Sequence, residues 1–337
     1  MNRTDPILFM NTKIHSPQAG RPRHTLDQAS RLTSCNTHPQ ASGLEPTTRK
    51  ARRLRHISWA YSLLLFIVSA LLALCSSTSA ATVEEISLAG KPVTIKVPDQ
   101  PAPGNPWLWV GEFPGQLKAF QEGLVEKGWH VVHVGVSNQF GSPRAMEVWE
   151  KVYEEMHGKR GLSAKPALLG ISRGGLYVTA WTRLHPDRVS VLYLDNGVCD
   201  IRSWPAGFPL TKQGKGSPKD WKSCKAEFAY TSDAEAGEKA GKPCDGMLPA
   251  IQAGVLLISC HGTADTVVPY EDNAAPLVKM WQDNGGALKL FPKEGADHHP
   301  HGLRNPASLI EAITRWNSIP PLAQPPCPTI RSGSPSE

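Results

Sequence analysis

The stretch from Lys165 to Leu184 constrains the fold of this chain more than any other. An apolar strand pattern runs to Ile171, a helical pattern runs from Leu176, and Gly170-Ile171-Ser172-Arg173-Gly174-Gly175 lies at the junction. A strand that turns this sharply into a helix can hold one residue in a strained, exposed position, and here that residue is a serine. The glycines have a mechanical reason to be there. Two residues before and two after Ser172 the backbone folds back on itself, and a Cβ at either place would collide with the neighbouring strand or helix. Gly and Ser are common, so the weight of the pattern depends on the residues downstream of it.

Two blocks there bear on it. The run 254–261 reads as a buried strand, and it leads straight into Gly262-Thr263-Ala264-Asp265-Thr266-Val267-Val268-Pro269, a polar loop carrying an aspartate. After a helix and the short strand Leu288-Lys289-Leu290-Phe291 comes Gly295-Ala296-Asp297-His298-His299-Pro300-His301. Strands at 107–110, 130–136, 165–171, 189–194, 254–261 and 288–291 alternate with helical patterns at 116–127, 146–156, 176–184, 275–283 and 307–316. That alternation predicts an α/β fold with a mostly parallel sheet and helices on both faces. Ligands on such sheets sit beyond the carboxyl ends of the strands, where Ser172, Asp265 and His298 would meet.

With serine, acid and histidine in this order, the chain resembles the α/β-hydrolase superfamily. The doubled glycine after Arg173 and the His-Gly-x-x-Asp-x-x-Val-Pro block resemble its prolyl oligopeptidase-like and dienelactone hydrolase-like branches. The resemblance covers roughly residues 106–316 and implies Ser172 as nucleophile, Asp265 as the acid that orients the histidine, and His298 as general base. It implies an oxyanion hole built from the backbone N–H of Arg173 and a second donor after the strand 107–110, at Glu112 or Phe113. It implies no cofactor.

Each role has a rival. Asp195 ends the strand 189–194, where some hydrolases carry the acid; the distance of Asp265 from the histidine and its Val-Pro context favour Asp265. His299 is the alternate base, and the Gly-x-x-His spacing from Gly295 favours His298. The cluster of His298, His299 and His301 invites a metal reading, but one loop alone lacks the partners that zinc sites draw from other elements, so no metal is expected. The extra histidines are expected to shape the substrate entrance. Arg173 is expected to brace the turn through ion pairs.

One stretch interrupts the alternation. Residues 199–253 are rich in Pro, Gly, Lys and Ser yet carry Trp204, Trp221 and Phe228, which predicts a small cap inserted before the acid-bearing strand. Cys224 and Cys244 are spaced to staple that cap, and Cys260 in its apolar strand reads as a packed free thiol.

The ends of the chain concern address. Residues 1–56 hold ten Lys or Arg against three Asp or Glu, a charge of +7 that exceeds the +6 of the whole chain. The remaining 281 residues are therefore near neutral, at about −1, and a nucleic-acid partner loses its support. Residues 57–75 are uncharged, with a twelve-residue apolar centre at 63–74 and small residues before Ala81. A segment of that length suits a signal peptide better than a membrane span, although its retention would make an N-terminal anchor. The organisation expected is a basic leader (1–56), a signal peptide or anchor (57–80), a hydrolase domain (81–318) and a Pro-rich tail (319–337). The catalytic domain is expected outside the cytoplasm, a compartment that permits disulfides.

These readings predict an exported serine hydrolase that cleaves a carboxylic ester of a small molecule or polysaccharide. An S9-like serine peptidase is the alternative; the roughly 25 residues between Ala81 and the first core strand are too few for the gating domain such peptidases carry. A non-catalytic binding module on the same fold is the third reading. The sequence leaves acyl and alcohol specificity and the oligomeric state open.

Overall fold

The computed structural model describes residues 81–318. The basic leader, the apolar segment 57–80, the Pro-rich tail and Cys327 all lie outside the described residues.

A hairpin opens the fold. Strands β1 (Thr82–Leu88) and β2 (Lys91–Val97) pair antiparallel across a two-residue turn, Ala89-Gly90, with φ of 48° and 70°. Two left-handed residues give the turn a twist that matches the strands it joins. β2 then pairs antiparallel with β4 (His130–Val134), and from there every pairing is parallel. With β3 (Trp107–Val110), β5 (Ala167–Ile171), β6 (Val191–Asp195), β7 (Leu256–Gly262) and β8 (Leu288–Lys293), the eight strands lie in the order β1-β2-β4-β3-β5-β6-β7-β8. This is the α/β-hydrolase fold that the motif order implied.

Period-two side-chain alternation sends each strand's residues to opposite faces. On β3, Trp107 and Trp109 enter one core while Leu108 and Val110 enter the other. The first core is covered by α2 (Pro143–Tyr153), α3 (Gly174–Leu184) and α7 (Ala274–Asp283), through Trp149, Tyr177, Trp181, Leu277 and Trp281. The second is covered by α1 (Lys118–Glu126) and α8 (Ala307–Ser318), through Phe120, Leu124, Leu309 and Ile313. Indoles dominate the first: Trp109 stacks on Trp149 at 4.1 Å and 17°, and meets Trp181 at 5.0 Å. Such pairs contribute about 0.5–1.5 kcal/mol each beyond the area they bury.

The insertion between β6 and β7 carries three short helices, α4 (Pro218–Glu227), α5 (Asp233–Lys239) and α6 (Leu248–Gln252). Ser217 and Ser232 cap the first two by accepting from the N–H groups of Asp220 and Glu235. Trp221, Cys224, Ala236 and Ala240 of the insertion pack with Phe140, Leu176 and Val268 of the main domain. The staple expected between Cys224 and Cys244 is not formed: the four cysteines among the described residues are free. Cys224 is buried in the Trp221 cluster, whereas Cys244 packs against the large core that holds Cys199, so the two belong to different packing units. Cys260 is a buried free thiol, pushed up to about 12 by burial.

Burial pushes the imidazole of His133, on β4, down from the ordinary 6.5 to about 4. The folded state resists a proton that the unfolded chain accepts, so this residue's share of stability is whole above pH 6.5 and declines as the pH falls toward 4. Urea unfolding of His133→Gln should therefore lose less stability between pH 7 and pH 5 than the wild type does. Equal losses would contradict the assignment.

Candidate active site

Ser172 stands one residue past β5, at φ 48°, a left-handed conformation that costs a non-glycine residue free energy. The surroundings impose it. Ser172 N–H donates to the Asp195 carbonyl at 3.0 Å, and the Ser172 carbonyl accepts from the N–H groups of Gly175 at 3.0 Å and Val198 at 2.8 Å. The chain turns here against a wall of backbone: a Cβ on Gly170 would lie 2.7 Å from the Gly175 Cα, and one on Gly175 would lie 2.4 Å from the Val198 carbonyl oxygen. The tighter of these contacts is three residues past the serine, one position beyond the glycine that the motif spacing predicts.

Three residues far apart in the chain meet at the carboxyl ends of the strands. Ser172 Oγ lies 3.0 Å from His298 Nε2, and His298 Nδ1 lies 2.8 Å from Asp265 Oδ2. The side chains of His298 and Asp265 are 8% and 1% exposed, so water does not compete for the bond between them. The other Asp265 oxygen accepts from the N–H groups of Val267 at 2.9 Å and Val268 at 2.8 Å, which locks the carboxylate in one orientation. The loop carrying the acid is fastened to the loop carrying the histidine through Asp297, whose Oδ1 accepts from the N–H groups of Thr266 and His298, both at 2.8 Å. Those two bonds hold the Asp297 carboxyl below the usual aspartate value.

Asn196 adds a second fastening that sequence reasoning missed. Directly after β6 and at φ 44°, it accepts from Gly262 N–H at 2.8 Å and donates to the His298 carbonyl at 2.6 Å. One side chain thus spans from the end of the acid-bearing strand to the histidine. The visible signal was Asp195-Asn196-Gly197 ending a buried strand, a sequence that favours left-handed backbone.

Asp195, the rival acid, is placed elsewhere. It is fully buried and accepts from Tyr193 Oη at 2.7 Å, His301 Nδ1 at 3.0 Å and Gly302 N–H at 2.8 Å. Burial alone would push its carboxyl up, but the bond from His301, the charge of Lys293 and the bonds from Tyr193 and Gly302 hold it below the usual value. His299, the rival base, is exposed, and the hydrogen bonds to Ser172 Oγ and Asp265 Oδ2 are made by His298; the His299 ring packs edge-on against His298 at 5.0 Å and His301 at 4.7 Å. Two Asp–His pairs therefore stand side by side, and the one that reaches Ser172 is Asp265–His298.

The loop 111–113 abuts the serine turn, since a Cβ on Gly174 would lie 3.1 Å from the Glu112 backbone nitrogen. Phe113 is held at φ 57°. Arg173 is the N-cap of α3, where backbone N–H groups have no acceptor within the helix. Its side chain, 17% exposed, pairs with Glu112 at 3.5 Å and Asp220 of α4 at 3.7 Å, donates to Asn138 at 3.0 Å and lies over the Phe113 ring. Arg173 thereby ties the turn to both the 111–113 loop and the inserted helices. A cleft of about 400 Å³ opens beside the histidine loop, walled by Leu117, Phe120, His299, His301, Leu303 and Leu309. Ser172 is not among its walls.

Comparison with known proteins places the chain by family and fold. The model of the prolyl oligopeptidase family matches residues 148–317. A puromycin-hydrolysing peptidase of Mycobacterium tuberculosis is similar in structure, at 15% identity and a TM-score of 0.50, over 69% of this chain and 38% of that one. A protein described as a putative dipeptidyl aminopeptidase IV, from Bacteroides ovatus, is similar at 15% identity and a TM-score of 0.51, over 72% of this chain and 36% of that one. The chain spans less than two fifths of the length of either peptidase, and at this identity the likeness concerns the fold. No curated protein matches the sequence.

Proposed function

The chain belongs to the prolyl oligopeptidase family of serine hydrolases, and on that premise we propose that it cleaves carboxylic esters through an acyl-enzyme on Ser172. The continuous hydrogen-bonded line from Ser172 Oγ through His298 to Asp265 carries the proposal. A serine hydroxyl is a weak nucleophile at neutral pH, so attack on a carbonyl carbon requires a base in contact with it. His298 Nε2 is that base: it takes the Oγ proton as the Oγ–C bond forms, while Asp265 keeps the other ring proton on Nδ1 and faces the imidazolium that results. The oxyanion meets the N–H of Arg173 and a second N–H from Glu112 or Phe113. His298 then returns its proton to the departing alkoxide, and water opens the acyl-enzyme by the same steps in reverse order.

The peptidase reading draws support from the family and from the peptidases that share the fold. An amide leaves as an amine and depends more heavily on protonation by His298 than an ester does. We take the ester reading because an alkoxide leaves more readily than an amine, so the triad by itself suffices for an ester, whereas an amide asks more of the site. An address outside the cytoplasm rests on the basic leader and the apolar segment after it; among the described residues no helix is long and apolar enough to cross a membrane. Rates on 4-nitrophenyl esters set against the 4-nitroanilides of matching acyl groups test the choice. The ester reading expects turnover of esters with anilides unreactive in comparison, after correction for the intrinsic reactivity of each bond; preference for the anilides would make the chain a peptidase.

A further inference from the structure

The chemistry above uses one of three clustered histidines. His298, His299 and His301 each offer a ring nitrogen, and the three nitrogens lie within 4.8 Å of one another. The rings stand nearly perpendicular in all three pairings, at 74°, 81° and 83°, with centroids 4.7–5.0 Å apart. The rings therefore meet edge to face and do not stack, and each brings a nitrogen to the same small space. We infer that this trio is an inhibitory site for a divalent transition ion such as zinc, which silences the enzyme by taking the lone pair on His298 that Ser172 needs. The inference rests on the assignment of His298 as the base.

Two observations beyond proximity support it. A histidine that binds a metal through one nitrogen almost always gives its other N–H to a carboxylate, a backbone carbonyl or a water, which fixes the tautomer and makes the ligating nitrogen more basic. His298 and His301 both have that partner, through Nδ1 bonds of 2.8 Å to Asp265 and 3.0 Å to Asp195. Each ring is thus left with Nε2 as its free electron pair. In sequence, the trio sits on one loop without partners from other elements. In the fold those elements supply them as outer carboxylates, Asp265 after β7 and Asp195 on β6.

The geometry needs little adjustment. With Zn–N bonds of about 2.0–2.1 Å, tetrahedral ligand nitrogens are about 3.4 Å apart, so from separations within 4.8 Å the trio closes by at most about 1.4 Å. Exposed His299 is the ring that can move. Imidazole nitrogens favour zinc, copper and nickel over magnesium or calcium, which defines the class of ion. Binding involves no change of oxidation state and releases no product; the ion replaces the hydrogen bond from Ser172 on His298 Nε2, and a water completes its coordination.

The test uses the full-length chain, freed of metal with EDTA and desalted, and zinc chloride as the probe. Calorimetry should show one zinc per chain, and 4-nitrophenyl ester turnover should fall over the same zinc range and return on adding EDTA. Losing a ligand should weaken binding at least as much as losing an outer partner does, so His299→Gln and His301→Gln should each weaken it by roughly 10–100-fold. Each variant's inhibition is judged against its own zinc-free rate, and His299, being exposed, offers a variant whose folding is not in question. Ser172→Ala should bind zinc at least as tightly as the wild type, because the competing hydroxyl is gone. The inference is overturned by a folded wild type that binds no zinc, by binding indifferent to both histidine substitutions, or by undiminished turnover at zinc saturation. Zinc binding that depends on the histidines in a chain without hydrolase activity would leave the metal site standing and remove only the assignment of His298 as base.

Discussion

Asp265→Asn should lower kcat by about 10⁴ at neutral pH while leaving the fold intact. The reason lies in which atoms donate. The Asp265 oxygen that accepts from Val267 and Val268 can be kept as the amide oxygen of asparagine. The other oxygen, now 2.8 Å from His298 Nδ1, becomes an NH₂ that must donate. His298 Nδ1 is then forced to accept, its proton moves to Nε2, and the nitrogen facing Ser172 no longer has a lone pair to receive the hydroxyl proton. Asp195→Asn should behave differently. It upsets three buried hydrogen bonds and should cost about 1–3 kcal/mol of stability, with kcat lowered far less, because its histidine partner is His301 and not His298. Steady-state kinetics beside thermal unfolding of both variants decides the matter. The reverse pattern, with Asp195→Asn inactive and Asp265→Asn mild, would transfer the role of orienting acid to Asp195.

Gly175→Val should damage stability and activity together. Its Cβ would stand 2.4 Å from the Val198 carbonyl oxygen and 2.7 Å from the Val198 nitrogen, and both are backbone atoms that cannot swing aside. The Gly175 and Val198 N–H groups both bond to the Ser172 carbonyl, so pushing the two strands of chain apart releases the serine from its left-handed conformation. Overpacking of this kind costs about 3 kcal/mol at its upper end, and at about 2–4 °C per kcal/mol for a domain of this size the Tm should fall by roughly 6–12 °C. Gly158→Ala is the control. It has nothing within 4 Å of the added Cβ and needs no positive φ, so its Tm should stay close to that of the wild type. A Gly175→Val chain with unchanged Tm and full turnover would mean that the turn is not as tightly enclosed as described.

The parts of the fold that could be read from sequence were those where burial is complete. β3, with all four residues buried, and the apolar runs ending at Ile171 and Gly262 stand out because parallel strands covered on both faces are apolar throughout. The hairpin β1–β2 was missed for the opposite reason. β1 is the edge strand and largely exposed, both strands mix polar residues with short apolar ones and lack a continuous apolar run, and only the Ala89-Gly90 turn punctuates them. The site divides in the same way. Ser172, Asp265 and His298 sit in local patterns that carry their own signal, whereas Asn196 and Asp297 act by bridging loops about 100 and 30 residues away, which no local pattern reveals. The pairing of His301 with Asp195 was hidden for the same reason, although each residue stands out in the sequence by itself. The Cys224–Cys244 staple failed because short separation in sequence says nothing about which core a side chain enters.

The central claim is that Ser172 is a nucleophile activated by His298, and reaction of the full-length chain with a fluorophosphonate probe tests it most directly, because the probe forms its stable bond only with an activated serine. The wild type should label at one site, mapped by mass spectrometry to the peptide containing Ser172, and Ser172→Ala should neither label nor turn over 4-nitrophenyl acetate. A folded wild type that fails to label, or a Ser172→Ala chain that labels as well as the wild type does, would contradict the account.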